Sequence, residues 1–156
     1  MDLARQRLEL LEGERVLAVY PVSTAARGSG ERQGSLKTPR GLHEIRAKIG
    51  EGAPEGAVFD GRRPTGEVCT PELMRAEPER DWILTRILWL RGLEPGRNRG
   101  AGVDSQQRYI YIHGTPDESA IGTPASHGCI RMRNVDVMDL FERVEPGFQV
   151  EIVDEA

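Results

Sequence analysis

Apolar residues in this chain alternate with polar ones more often than they recur every three or four positions, so the pattern predicts mostly strands. Arg7–Leu11 and Arg15–Val22 read as two strands joined by a turn at Glu12-Gly13-Glu14. Leu3–Leu11 also fits a short amphipathic helix, and the pattern alone leaves both readings open. Leu42–Ile49 reads as a strand in which His43 alternates onto one face with Ile45 and Ala47. Gly50–Gly66 is turn-rich, with one short apolar segment at Val58–Phe59. Trp82–Leu90 (WILTRILWL) is the most hydrophobic run. Its length and its β-branched and aromatic content predict a strand buried on both faces, with Trp82 and Trp89 in the core. Tyr109–Ile112 is a further strand, placing Ile110 and Ile112 on one side and Tyr109, Tyr111 and His113 on the other.

Helical signals are fewer. Thr70–Arg80 predicts a short helix that starts near Thr70-Pro71 and ends near Pro78. Asn134 is a candidate cap with Asp136 in the first turn. Val137, Leu140, Phe141 and Val144 then follow the i, i+3, i+4, i+7 spacing of one apolar face. Pro146-Gly147 stops that helix, and Phe148–Val153 predicts a closing strand.

Composition agrees with this balance. The 156 residues suit one domain, residues 1–156, with a single core. The 18 Gly and 10 Pro are about 18 per cent of the chain, which favours a turn-rich, mainly β architecture over a helical bundle. A net charge of −4 argues against a general nucleic-acid binder. No run is long and apolar enough for a transmembrane helix, so membrane insertion is not expected. MDLARQRLELLEG lacks the apolar core and cleavage site of a secretory signal. A chain beginning this way is expected in the cytoplasm, or in the periplasm or cell envelope if an export signal has been trimmed. A monomer is the simplest expectation.

Two loops carry polar and basic character. Ala26–Gly41 (ARGSGERQGSLKTPRG) is glycine-rich, yet a phosphate-binding loop needs Gly-Lys-Ser/Thr in succession, and that order is absent. Arg91–Arg108 is a long connection holding Arg91, Arg97, Arg99 and Arg108. Such a length reads either as a solvated loop or as a lid that binds acidic substrate groups.

The candidate chemistry lies in Tyr109–Met132, YIYIHGTPDESAIGTPASHGCIRM. Two of the three histidines and one of the two cysteines fall there. A thiol has a free pKa of about 8.5 and needs a nearby base to act as a nucleophile near neutral pH. Either His113 or His127 can supply it by proximity to Cys129. Gly128 permits an unusual backbone conformation and bares amides near the sulfur that can receive a tetrahedral oxyanion. Arg131, two residues on, shares the Cys129 face of a strand and can hold a substrate carboxylate. A metal reading uses His113, His127 and Cys129 as ligands, with Asp117 or Glu118 near, but the spacing matches no strong zinc pattern. Cys69 has no nearby histidine and reads as a structural thiol; its alternative is a disulfide to Cys129 that would disable the nucleophile.

His-Gly at 113–114 followed, after a spacer, by Ser-His-Gly-Cys-Ile-Arg at 126–131 resembles the catalytic motif of the L,D-transpeptidase (YkuD-type) family. Thr38, Pro39 and Gly41 resemble a Thr-Pro-x-Gly segment of the same family. The resemblance implies a β-sandwich of mixed sheets with one or two short helices, opening on a hairpin. It implies Cys129 as nucleophile, His113 as base and the Gly114 carbonyl as the group that orients the imidazole. Ser126, His127, Gly128 and Arg131 would bind substrate. The implied reaction is attack on a peptidoglycan stem tetrapeptide, release of D-alanine, and transfer of the acyl group from a thioester to an amine. The amine acceptor gives a 3→3 cross-link or D-amino acid exchange. Hydrolysis of the same bond, or a catalytically silent murein-binding module, are the alternatives. Acylation by carbapenems is implied; a metal or organic cofactor is not.

Overall fold

A computed structural model describes residues 1–154. Nine strands and two α-helices follow the order β1 (Arg7–Glu12), β2 (Arg15–Ser23), β3 (Gly41–Ile49), β4 (Ala57–Asp60), β5 (Arg63–Val68), α1 (Pro71–Ala76), β6 (Ile83–Gly92), β7 (Tyr111–Gly114), β8 (Ile130–Met132), α2 (Asn134–Arg143) and β9 (Gln149–Ile152). The strands form one curled, mixed sheet in the order β1-β2-β8-β7-β6-β3-β9. β7 and β8 run parallel; the other named pairs are antiparallel.

The first hairpin forms as the alternation predicts, and the helix alternative over Leu3–Leu11 does not. Its two-residue turn places Gly13 at φ 62°, the left-handed first position that a type II′ turn reserves for glycine. The turn-rich stretch 50–66 contains more order than its sequence suggests. Val58–Phe59 belongs to β4, which folds back on β5 with Asp60 opposite Arg63. One apolar pair is too short a signal for a strand when its partner, RPTGEV, has no buried face.

β6 is buried on both faces, as its composition predicts. Leu88 and Leu90 join Ile112, Ile130, Met132 and the α2 residues Val137, Leu140 and Phe141 in the main core. Ile83 and Ile87 join Phe59 and Tyr111 in a second cluster, against which Trp89 and Cys129 pack. Ile110 and Ile112 therefore face the main core while Tyr111 faces the other way. Trp82 is buried, whereas Trp89 is only partly buried beside Tyr109 and Tyr111. Val137, Leu140, Phe141 and Val144 are all buried; at roughly 1.5–3 kcal/mol for each large apolar side chain, that stripe holds α2 on the sheet.

β6 carries an irregularity that matters for the site. Between Leu84 and Ile87 its pairing slips against β7. β3 pairs with Ile87–Gly92 and β4 with Ile83 and Leu84. Thr85 sits in this bulge at φ 76° and is fully buried. A β-branched residue there is strained. No helix among the described residues is long and apolar enough to cross a membrane.

Candidate active site

The parallel β7–β8 pair builds the site. Its register sets Ile112 opposite Ile130 and His113 opposite Arg131, which brings Cys129 beside Tyr111. A parallel pair needs a crossover, and Thr115–Cys129 supplies it as a loop with one short 3₁₀ turn, Glu118–Ala120. Hydrogen bonds to the end of β2 and its continuation fix this loop. Gly122 N–H donates to Val22 O, Ser23 Oγ to Thr123 O, and Ala125 and Ser126 N–H to Thr24 O.

Cys129 is half-buried and its sulfur is held by the backbone at the start of β7 and just before it. The Tyr111 N–H donates to Sγ and the thiol donates to Tyr109 O, each at 3.3 Å. Burial pushes the thiol up to about 11, against the Tyr111 amide and the Arg131 and Arg108 guanidinium groups, which pull it down. His113 is 2% exposed, and burial holds its imidazole well below the usual histidine range. Its Nδ1 lies 2.7 Å from Gly114 O. A carbonyl only accepts, so Nδ1 carries the proton and Nε2 presents its lone pair. Both groups are therefore neutral at rest, and no hydrogen bond joins sulfur to imidazole in this conformation.

Gly114 is constrained by its surroundings. A Cβ there would lie 2.3 Å from Asn134 Oδ1 and 2.8 Å from Leu84 O. Asn134 is not the cap of α2: Arg133 occupies that place without a capping bond from its own side chain, and the Glu118 carboxylate accepts from the Asn134 N–H at 2.8 Å. The Asn134 side chain points back instead. It accepts from Thr85 Oγ1 at 2.6 Å and donates to Thr115 O at 2.9 Å. The apolar period that locates α2 cannot distinguish a cap from a first-turn residue with partners elsewhere in the fold.

The two residues flanking His127 are turned into the protein. Ser126 is buried, and its Oγ donates to Cys129 O at 2.6 Å and accepts from Gly128 N–H at 3.2 Å. Gly128 sits at φ 130° with its carbonyl accepting from Thr38 Oγ1 at 2.9 Å. The Gly128 amide, expected among the oxyanion donors, is thus engaged by Ser126. His127 is exposed on the wall of the same cleft as Cys129, His113 and Arg131. Arg131 makes one long bond, 3.4 Å, to Ala125 O.

That cleft has a volume of about 490 Å³. Its remaining wall comes from residues the sequence did not single out: Asp60, Gly61 and Arg62 at the β4–β5 turn, and Arg80 and Asp81 before β6. Arg62 donates to Tyr111 Oη at 3.0 Å and lies over the Trp89 ring at 4.6 Å. The one available signal was Asp60-Gly61-Arg62-Arg63, a turn with two cations whose place depends on a hairpin not visible in the pattern.

Of the four arginines in the Arg91–Arg108 connection, only Arg108 lines the cleft. Arg97 pairs with Glu94 in a separate groove near Arg40 and Asp154, so it forms no part of a lid over Cys129. Arg108 donates to Lys37 O at 2.6 Å and to Gly30 O at 3.3 Å, which fastens the glycine-rich loop to the wall of the cleft. His43 is a packed residue held by Gly41 O and Ser105 Oγ. Cys69 and Cys129 are both free thiols. The three-ligand set proposed for zinc is not assembled: no group of three or more His, Cys, Asp or Glu among the described residues is placed to hold a metal.

Comparison with known proteins adds a family. The family model for YkuD, the L,D-transpeptidase catalytic domain, matches residues 1–152. The chain is 48% identical over 48 residues to the probable L,D-transpeptidase YbiS of Escherichia coli K12, a match covering 31% of this chain and 16% of YbiS. Its fold is similar to the L,D-transpeptidase structure (residues 123–326) of Xylanimonas cellulosilytica, with a TM-score of 0.60 and 20% identity over 98% of this chain and 58% of that one. It is also similar to LdtMt1 solved in complex with imipenem, with a TM-score of 0.56 and 18% identity over 97% of this chain and 56% of that one. The matched region is thus less than two thirds of the length of each of these relatives.

Proposed function

This chain belongs to the YkuD family of L,D-transpeptidase catalytic domains, and on that premise we propose that it is a cysteine acyltransferase acting on peptidoglycan stem tetrapeptides. The observation that carries the reading is the shared cleft. Cys129 Sγ, a histidine with its Nε2 lone pair free, and Arg131 line one open cavity.

Rotation about the Cys129 Cα–Cβ bond would release the thiol from Tyr109 O toward the imidazole. His113 Nε2 takes the thiol proton as Sγ bonds to the carbonyl carbon of the third stem residue. The Cys129 N–H receives the developing oxyanion. The C–N bond to D-alanine then breaks, and the imidazolium returns its proton to the leaving amine. An incoming amine attacks the thioester, loses a proton to His113, and leaves with the acyl group as the thiol is restored. Gly114 O keeps the imidazole in the required tautomer throughout. Ser126 and Gly128 shape the nucleophile loop. Arg131 binds a substrate carboxylate, with Arg62, Arg80 and Arg108 adding positive charge to the cleft of an otherwise acidic chain. His127 contacts substrate from the exposed wall. The peptide substrate and the amine acceptor follow from family membership; the acyl chemistry follows from the residues.

Mass spectrometry with a defined tetrapeptide, with and without a free D-amino acid, tests this. The expected result is a tripeptidyl thioester on Cys129, loss of D-alanine, and a new amide only when the amine is present. D-alanine release giving free tripeptide regardless of amine would make the chain a carboxypeptidase. Absence of both adduct and D-alanine release would leave only a murein-binding module and sink the acyl-transfer reading.

A further inference from the structure

Thr38 lies outside the cleft and carries no part of the chemistry above, yet its side chain ends on the nucleophile loop. We propose that Thr38 is a positioning residue that sets the Gly128–Cys129 peptide so that the Cys129 amide faces the reacting carbonyl; this rests on the acyl-transfer reading.

The geometry leaves the Thr38 hydroxyl one direction. Thr38 is fully buried. Its backbone is locked on both sides, by Thr38 N–H to Gly28 O at 3.0 Å and Gly30 N–H to Thr38 O at 2.9 Å. Oγ1 accepts from the Ala25 N–H at 3.0 Å, so its own proton goes to Gly128 O at 2.9 Å. Arg108 clamps the same loop through Lys37 O. A Cβ on Gly128 would meet Lys37 O at 3.3 Å, so the loop also bears directly on the glycine.

The consequence follows from peptide geometry. In a trans peptide the C=O and the next N–H point in opposite directions. With the Gly128 carbonyl drawn to Thr38, the Cys129 N–H is turned away from it. That amide has no protein acceptor among the described residues, whereas the Gly128 amide is taken by Ser126 Oγ. Ser126 also holds the Cys129 carbonyl, so both peptide planes around the nucleophile are pinned. Glycine at φ 130° resists rotation of the plane only weakly. The restraint on the first plane is therefore the Thr38 hydrogen bond.

Two reactions of the same sulfur separate positioning from general damage. Alkylation by iodoacetamide displaces iodide and forms no oxyanion. Acylation by imipenem forms one, as Sγ bonds to the β-lactam carbonyl carbon, the ring C–N bond breaks and the ring nitrogen takes a proton. Both are measured as first-order rate constants at saturating or fixed reagent in a Cys69→Ser background. Thr38→Val is expected to slow imipenem acylation about 10- to 100-fold, somewhat less than the usual loss on deleting an oxyanion donor outright. Its alkylation rate should stay within twofold, on the order of experimental scatter, and Thr38→Ser should restore acylation. If Thr38→Val does not fold, Thr38→Ala removes the same hydroxyl with less crowding and carries the comparison. Equal acylation in variant and parent, or a parallel fall in both reactions, overturns the proposal. A parent protein that alkylates but is acylated by neither imipenem nor tetrapeptide defeats the acyl-transfer reading instead.

Discussion

Burial acts on the two titratable groups of the cleft in opposite directions. It raises the Cys129 thiol to about 11 and lowers the His113 imidazole, so each favours its neutral form at neutral pH. A preformed thiolate–imidazolium pair would need the reverse. Below about 11 the thiolate fraction grows about tenfold for each pH unit. In a Cys69→Ser background, alkylation of Cys129 by iodoacetamide should therefore keep rising between about pH 7 and pH 10. A plateau reached by neutral pH would show an ion pair already formed. With tetrapeptide at pH 8, His113→Ala should slow acylation about 100-fold or more. His127→Ala should slow it much less, because its ring is exposed on the outer wall of the cleft.

At the scale of elements, the site depends on an irregular strand. The β6 bulge holds Thr85 at φ 76°, a conformation that costs roughly 1–3 kcal/mol. Two hydrogen bonds offset that strain: Gly56 N–H donates to Thr85 Oγ1 at 3.0 Å, and Thr85 Oγ1 donates to Asn134 Oδ1 at 2.6 Å. Asn134 thereby ties the start of α2 to β6 and, through Thr115 O, to the loop after β7. Asn134 Oδ1, Thr85 Oγ1 and the Leu84 carbonyl surround the space where Gly114 has no side chain. Asn134→Ala should lower stability in urea denaturation by about 1–3 kcal/mol, the range for leaving buried partners unsatisfied. Acylation should fall with it, because the Gly114 backbone beside His113 loses a close neighbour. A variant as stable as the parent would mean that Asn134 is dispensable to this junction.

Over the whole molecule, the sheet curls until its two ends are joined by the N-terminal segment. Leu3 N–H donates to Val153 O and Val153 N–H to Met1 O, so the chain just before β1 pairs with the chain just after β9. The main core draws on β1, β2, β3, β6, β7, β8, α2 and β9 together. No set of strands can leave without exposing apolar surface of the rest. Unfolding should be one cooperative transition. Urea curves from far-UV circular dichroism and from fluorescence of Trp82 and Trp89 should coincide, with one midpoint. Separate midpoints would divide the chain into independent units.

Local physics made much of this legible in the sequence. Alternation located β1, β2, β3 and β7, the uniform apolar run located β6, and a 3.6-residue period located α2, because each burial pattern repeats over neighbouring residues. The candidate site was legible for a related reason: Cys129, His113 and Gly114 fall within one stretch, so their resemblance to a known motif survives without coordinates. What tertiary structure alone decided were the partners far apart in the chain. Thr38 meets Gly128, Asn134 meets Thr85, and Arg62 meets Tyr111. Such contacts leave no periodic trace, since hydrogen-bond geometry is set by how strands stack and curl. The sequence by itself named the groups able to do chemistry. The fold settled which amide is left without an acceptor among the described residues and which loop keeps these groups in place.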